Sequence, residues 1–385
     1  LSSQRGAKFI KEPPEVLRGV SMPRPKRRTP LFFDQRPRTL PEQLFGREEE
    51  VEKLFRALEA GSWVAVLGPR MVGKTSLALA GANEFAKENG YNVVLVDLRD
   101  TETFREATEK ILGRLPRSIL DSISEYLSSI SEVSAKGAGA GLTVKLKKSA
   151  PARRALSDAL FKVQDTILIL DEVQGIQQGV PHFLKALGAV FNENHSLQII
   201  FTGSYSGVVR RLFEATYSDE SYGRPPISIM LTPWRESVAE DFLRTGFEKL
   251  GVPYEEWEIR DTIRNLGTLP GWLNLYGVRR YVERNHEKAL KTAIREAVKE
   301  AKSELENILE GRSPKARKVV RLLAFGASWG DLIKTGISED ALSRLLGILM
   351  DELFILNKDD MGIYYFADPV YRKAAMSIPL VTEGE

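Results

Sequence analysis

The amino-acid sequence predicts an α/β protein: a parallel sheet with helices on both faces, followed by a helix-rich segment and a small C-terminal helix–hairpin unit. Three observations carry this. Short apolar runs at 62–67, 91–98, 166–170, 197–202 and 227–231 alternate with helix-forming stretches, the pattern of strands buried on both faces. A glycine-rich loop, Gly68-Pro-Arg-Met-Val-Gly-Lys-Thr75, joins the first run to a helix. The third and fourth runs end on polar residues, Asp171-Glu172 and Gly203-Ser204, and ligands of such sheets bind at the strands' carboxyl ends.

Taken in order, residues 1–40 hold ten basic residues against three acidic ones and the prolines 13, 14, 23, 25, 30 and 37, so they read as an extended basic arm. The chain's formal net charge is +3, and this arm alone carries +7. Its run PRPKRR (23–28) suits the phosphates of nucleic acid or a partner's acidic face, or is a solvated tail. Order begins near Pro41, where Leu44 to Glu50 lead into a helix with Val51, Leu54, Phe55 and Leu58 on one face. The strand at 62–67, the glycine loop and a helix from Ser76 follow.

Residues 102–133 read as helix, and 135–148 as a glycine-rich turn with a half-exposed strand on the edge of the core. A helix at 151–164 precedes the strands at 166–170 and 197–202. After Pro233 the chain is helix-rich and charged to residue 312. Residues 313–385 then show three short helical patterns and two strand-like pieces around Lys358-Asp-Asp-Met-Gly362, the pattern of a winged helix. The expected units are therefore 1–40, 41–234, 235–312 and 313–385.

Composition sets limits. There is no cysteine, which excludes disulfides, thiolate metal sites and cysteine nucleophiles. His182, His195 and His286 are scattered, which argues against a histidine metal site. No run approaches a membrane span and the first residues lack a signal peptide's apolar stretch, so a cytoplasmic protein without membrane contact is expected.

The loop reads G-x-x-x-x-G-K-[ST]. Backbone N–H groups of Pro69's successors Arg70, Met71, Val72, Gly73, Lys74 and Thr75 can wrap a phosphate, aided by the positive end of the helix that begins at Ser76, while Gly68 and Gly73 permit close approach. Lys74 can reach the outer phosphates, and the Thr75 hydroxyl can ligate Mg²⁺. Asp171 can hold the same ion, directly or through water, and Glu172 is suited to orient or deprotonate an attacking water. Ser204, or alternatively Thr202, is placed to touch the outermost phosphate or the water. Arg224, just before the fifth strand, can supply positive charge to a transition state; Arg70 is a weaker candidate of that kind.

These residues also carry a family resemblance. FGREEE (45–50), GPRMVGKTS (68–76), ILILDEVQ (167–174), IIFTGSYSG (199–207), YGRPPISIMLTPW (222–234) and GTLPGWLNLYG (267–277) together resemble the archaeal P-loop ATPases of the STAND class, relatives of AAA+ proteins. The resemblance spans about residues 41–375. It implies a P-loop NTPase core, a small helical domain and a C-terminal winged helix, with ATP or ADP and Mg²⁺ as ligands. It further implies that Pro270 packs on the adenine, with Phe45, Gly46 and Arg47 on its other side, and that Arg224 takes an arginine-finger position. No separate sensor arginine follows Gly267, which favours a slow, switch-like ATPase over a processive motor.

A winged helix ordinarily suggests DNA. Residues 313–385, however, balance nine basic residues against ten acidic ones, and the stretch 338–353 has a single basic residue, Arg344. A packing or protein-contact role, including self-association, is favoured there. The alternatives are a DNA-binding AAA+ protein of replication or transposition, using the basic arm or the winged helix, and a non-hydrolysing nucleotide-binding scaffold.

Overall fold

Successive side chains of a strand point to opposite faces, so an unbroken apolar run feeds two cores at once, and the centre of the sheet is built that way. The computed structural model describes residues 32–122, 131–135, 142–204, 207–214 and 225–380. The strands and helices of its first part are α1 (Glu48–Glu59), β1 (Val64–Leu67), α2 (Lys74–Asn89), β2 (Asn92–Asp97), α3 (Phe104–Leu112), α4 (Arg117–Ser122), β3 (Ser131–Ala135), β4 (Leu142–Leu146), α5 (Ala152–Leu160), β5 (Thr166–Asp171), α6 (Val180–Glu193), β6 (Leu197–Gly203), α7 (Gly207–Glu214) and β7 (Ile227–Met230). Five of the strands form one sheet, in the order β2-β5-β6-β1-β7, with every pairing parallel. Val64, Val66, Ile167, Ile169, Ile200 and Ile229 join the core on one face, which α1 and α2 cover. Ala65, Leu67, Leu168, Leu170, Ile199 and Phe201 join the core on the other, under α3, α5 and α6. The central strands β1, β5 and β6 are buried along their whole length.

The stretch 102–133 is not one helix. Helix α3 ends at Gly113, α4 starts after Pro116, and residues 131–135 are a strand paired antiparallel to β4. Glycine and proline break the helical pattern, and Ser-Glu-Val-Ser-Ala follows a two-residue period instead. Residues 123–130 and the glycine-rich 136–141 lie outside the described residues. Strand β4 packs on α3 through Val144 and Leu146, and the Arg105 guanidinium donates to the carbonyls of Lys147 and Ala150 at 3.1 and 3.0 Å.

Four helices follow: α8 (Glu236–Leu250), α9 (Glu256–Leu266), α10 (Pro270–Glu283) and the long α11 (His286–Leu309). The C-terminal unit is α12 (Pro314–Leu323), β8 (Ala327–Ser328), α13 (Trp329–Ile333), α14 (Glu339–Gly347), β9 (Leu356–Lys358), β10 (Ile363–Phe366) and α15 (Pro369–Met376). Its strands make a small antiparallel sheet, β8-β10-β9. Helix α15 packs on α9 and α11: the Lys373 ammonium donates to the Asn265 carbonyl at 2.8 Å, and the Tyr371 hydroxyl donates to Glu304. Among the described residues no helix is long and apolar enough to cross a membrane.

The expected arm of residues 1–40 needs correction at its end. Phe32 to Leu40 belong to the body. Phe33 is 1% exposed, and its ring sits between Gly246 of α8 and Gly277 of α10, where a Cβ would come within 2.1 and 2.3 Å of it. Phe32, Phe242 and Phe247 pack on that ring with centroids 5.3, 5.4 and 5.5 Å away, and Phe45 packs on Phe32 and Phe242 at 6.4 and 5.5 Å. Burying such a ring favours the packed state by about 2–3 kcal/mol, enough to hold a proline-flanked segment down. The run 23–28 and the rest of the arm to Leu31 lie outside the described residues.

Candidate functional site

The loop between β1 and α2 can be made only with glycine at two of its positions. Gly68 has φ 140°, and a Cβ there would sit 2.3 Å from the Leu231 carbonyl oxygen on β7's exit. Gly73 has φ 101° and caps α2. Val72 is buried in the core and fixes the loop from below, while Met71 takes φ 64° at its crest.

Lys74 is the first residue of α2 and is 7% exposed. Its ammonium donates to the carbonyls of Gly68 and Pro69, each at 3.0 Å. Burial pulls its pKa down; the negative charges of Glu172, Glu304 and Asp171 pull it back. Two neutral carbonyls are poor compensation for a buried cation, so the group is poised for an anion.

Behind it lies a chain of oxygens. The Thr75 hydroxyl donates to Asp171 Oδ1 at 2.8 Å, and the Thr202 hydroxyl donates to the same oxygen. Thr202 in turn accepts the Glu172 N–H at 3.2 Å. Burial pushes the Asp171 carboxyl up from its ordinary range, and the bonds from Thr202 and Thr75 lower it again. Glu172 stands in the left-handed region, φ 57° and ψ 47°, which turns its side chain sharply off the end of β5. Gln174 Nε2 donates to its carboxylate. Gly203 makes room for that amide, since a Cβ there would lie 2.1 Å from Gln174 Oε1.

Above the loop opens a cleft of about 980 Å³. Its walls include Arg70, Met71, Gly73, Thr75, Glu172 and Ser204 on one side, and Phe45, Arg47, Trp234, Pro270 and Glu304 on the others. Gly68, Val72, Lys74 and Ser76 reach the same wall, whereas Pro69, Gly46 and Asp171 do not. Arg47 is buried and committed to structure: it donates to the Thr232 carbonyl at 2.7 Å, pairs with Glu50 at 2.9 Å and lies 5.9 Å from the Trp234 ring centroid. Gly46 takes φ 58° and packs against Val238. The Ser76 hydroxyl accepts the Arg38 N–H at 3.1 Å, tying the segment 32–40 to α2.

Pro270 is the first residue of α10, and the next N–H, that of Gly271, donates to the Met71 carbonyl at 2.9 Å. Arg70 is not free over the cleft; it pairs with Glu300 of α11 at 2.6 Å. Around this cleft the structure places Phe45, Arg47, Gly68, the residues from Arg70 to Ser76, Glu172, Ser204 and Pro270, with Asp171 behind its wall; Gly46 and Pro69 do not line it, and Arg224 lies outside the described residues. Gln174, Glu300, Glu304 and Tyr371 had no role in the sequence reading. Gln174 stands in the DEVQ run, two residues beyond Glu172, but the others converge only through the tertiary packing of α11 and α15.

The donor set fits a small hard cation. Thr75 and Asp171 present oxygen only, and Asp171, set behind the wall, suits a ligand reached through Thr75 or water. Mg²⁺ would be held there by those two residues together with phosphate oxygens, and would supply neutralisation of phosphate charge.

Comparison with known proteins agrees with this geometry. A family model described as an ATPase domain predominantly from Archaea matches residues 44–275. No curated protein matches the chain. Among solved structures, the Walker-type ATPase of Pyrococcus abyssi superposes with a TM-score of 0.69 at 26% identity, covering 90% of this chain and 99% of that one. The ORC2 protein of Aeropyrum pernix, solved in complexes with ADPNP and ADP, superposes with a TM-score of 0.59 at 16% identity, covering 90% and 96%. The fold is that of a P-loop NTPase with a parallel α/β sheet.

Proposed function

The chain belongs to the family of ATPase domains found predominantly in Archaea, and on that premise we propose that it binds ATP with Mg²⁺ in the cleft above the phosphate loop and hydrolyses it slowly, as a conformational switch. The observation that carries this is the linked set Lys74, Thr75, Asp171, Thr202 and Glu172 beneath one cleft. Lys74 exchanges its two carbonyl acceptors for phosphate oxygens. Glu172, steadied by Gln174, accepts a proton from the water that attacks the terminal phosphorus, as the bond to the ADP oxygen breaks. Ser204 lies at the carboxyl end of β6, where its hydroxyl can touch that phosphate. Arg224 is retained as the candidate for charge stabilisation.

The switch reading is supported by contacts from both sides. The phosphates meet the loop, while the base would lie among Phe45, Trp234 and Pro270, of which Pro270 belongs to the helical segment. A ligand gripped by two bodies biases how they pack. We read residues 313–380 as a winged helix from the order helix, strand, two helices and hairpin, and assign it to protein contact rather than DNA because of its balanced charge.

The decisive experiment titrates ATP·Mg²⁺ into the protein and into Lys74→Ala by calorimetry, and follows phosphate release under excess ATP. Binding and slow turnover are expected for the parent and neither for the variant. Equal affinity in the variant overturns the assignment; binding without turnover makes the protein a scaffold.

A further inference from the structure

We propose that Glu304 decides how many phosphates the cleft accepts: in this arrangement its carboxylate faces the phosphate loop and selects a nucleoside diphosphate over a triphosphate. The inference rests on the reading of the cleft as a nucleotide site.

Helix α11 carries Glu296, Glu300 and Glu304 four residues apart, so all three stand on one face, and all three line the cleft. Their partners differ. Glu296 is paired with Arg279 at 2.6 Å, and Glu300 with Arg70 at 2.6 Å. Glu304 accepts a hydrogen bond from the neutral Tyr371 hydroxyl. The cations that act on it are Arg70 and Lys74, both in the phosphate loop. It therefore draws on the same positive charge that a nucleotide's phosphates need.

A diphosphate leaves room for this. Its outer phosphate takes Lys74, and Arg70 remains with α11. A third phosphate extends towards Thr75, Glu172 and Ser204, and brings a further negative charge between Glu172 and Glu304. Burial already holds the Glu304 carboxyl above its ordinary range. The added charge is met by protonating that carboxyl or by moving α11 away, and either lowers affinity. Because the Tyr371 hydroxyl holds the carboxylate, and Tyr371 is on α15, displacement of α11 is felt in the C-terminal unit.

The test is calorimetric titration of ADP and of a non-hydrolysable ATP analogue, each with Mg²⁺, into the full chain and into Glu304→Gln. The carboxamide keeps shape and hydrogen bonding and removes the charge. The parent should bind ADP more tightly than the analogue. The variant should bind the analogue about tenfold more tightly than the parent does, a coupling of ordinary size, with ADP changed less than about twofold. Tyr371→Phe, which frees the carboxylate, should move the ratio the same way by a smaller factor, and serves if Glu304→Gln does not fold. Equal shifts for both nucleotides, or none, overturn the proposal alone. Failure of the parent to bind either nucleotide overturns the underlying reading, and the proposal with it.

Discussion

The amide of Gly271 donates to the carbonyl of Met71 at 2.9 Å, so the first turn of α10 is hydrogen-bonded to the crest of the phosphate loop. A Cβ at Gly271 would lie 2.7 Å from the Met71 side chain and 3.0 Å from its carbonyl oxygen. Gly271→Ala should therefore wedge the helix off the loop. Because the contact is shared by any nucleotide that spans both, ADP and ATP analogue should weaken together, by about tenfold. Pro270→Ala should act in the same sense and more mildly. Paired titrations check this; a loss confined to the triphosphate would place the contact elsewhere.

Glu172 lies on the cleft wall, next in sequence to Asp171, which accepts the Thr75 hydroxyl. Glu172→Gln should bind ATP·Mg²⁺ at close to parental affinity and turn it over at least a hundredfold more slowly, as loss of a general base usually costs about 10²–10⁴. Single-turnover phosphate release measures it. A variant hydrolysing at the parental rate would make Glu172 structural.

Thr202 holds Asp171 and Glu172 in register through one hydroxyl. Thr202→Val keeps the shape and leaves a buried carboxylate short of a donor, at a cost of about 1–3 kcal/mol in stability. Turnover should fall as well, because the Glu172 backbone loses its acceptor. Urea denaturation and steady-state rates report the two effects separately. Unchanged stability would show that the bond contributes nothing.

Asp368 caps α15, accepting the N–H groups of Val370 and Tyr371 at 2.8 and 3.2 Å, and burial pushes its carboxyl to about 7. A raised acid is more easily protonated folded than unfolded. Its contribution is full below the ordinary value and is lost as pH rises from about 4 to about 7. Asn caps a helix nearly as well without the charge. The parent's stability relative to Asp368→Asn should thus fall between pH 4 and 7 and stay level above. Denaturation midpoints at pH 4.5, 6 and 8 decide it; a constant difference would show that the carboxyl titrates normally.

Much of this was legible in the sequence. The five apolar runs are the five strands of the main sheet; β1, β5 and β6 are buried on both faces as their composition implies, whereas the edge strands β2 and β7 are not, since each has a neighbour on one side only. Lys74, Thr75, Asp171 and Glu172 meet because strand ends in a parallel sheet share one edge. The parts that were hidden depend on partners far along the chain. Phe32-Phe33 sits in a proline-rich basic stretch, and nothing local announces glycines 246 and 277 as its socket. Glu304 looks like any acidic residue of a charged helix until α15 brings Tyr371 against it. Thr202, the lesser alternative to Ser204 by position, proves to be the hydroxyl that joins Asp171 to Glu172, a matter of which face each residue of β6 presents.

Phe33 is gripped by α8 and α10, and Arg38, five residues on, donates to Ser76 at the start of α2 and to Asn274 of α10. The short segment between them is stitched into both halves of the body. Neither half can then melt while leaving the other intact, and heat denaturation should appear as one endotherm with equal calorimetric and van 't Hoff enthalpies. A chain cut at Pro41, where composition first suggests order, would lose the stitch and should melt at a lower temperature than the full chain.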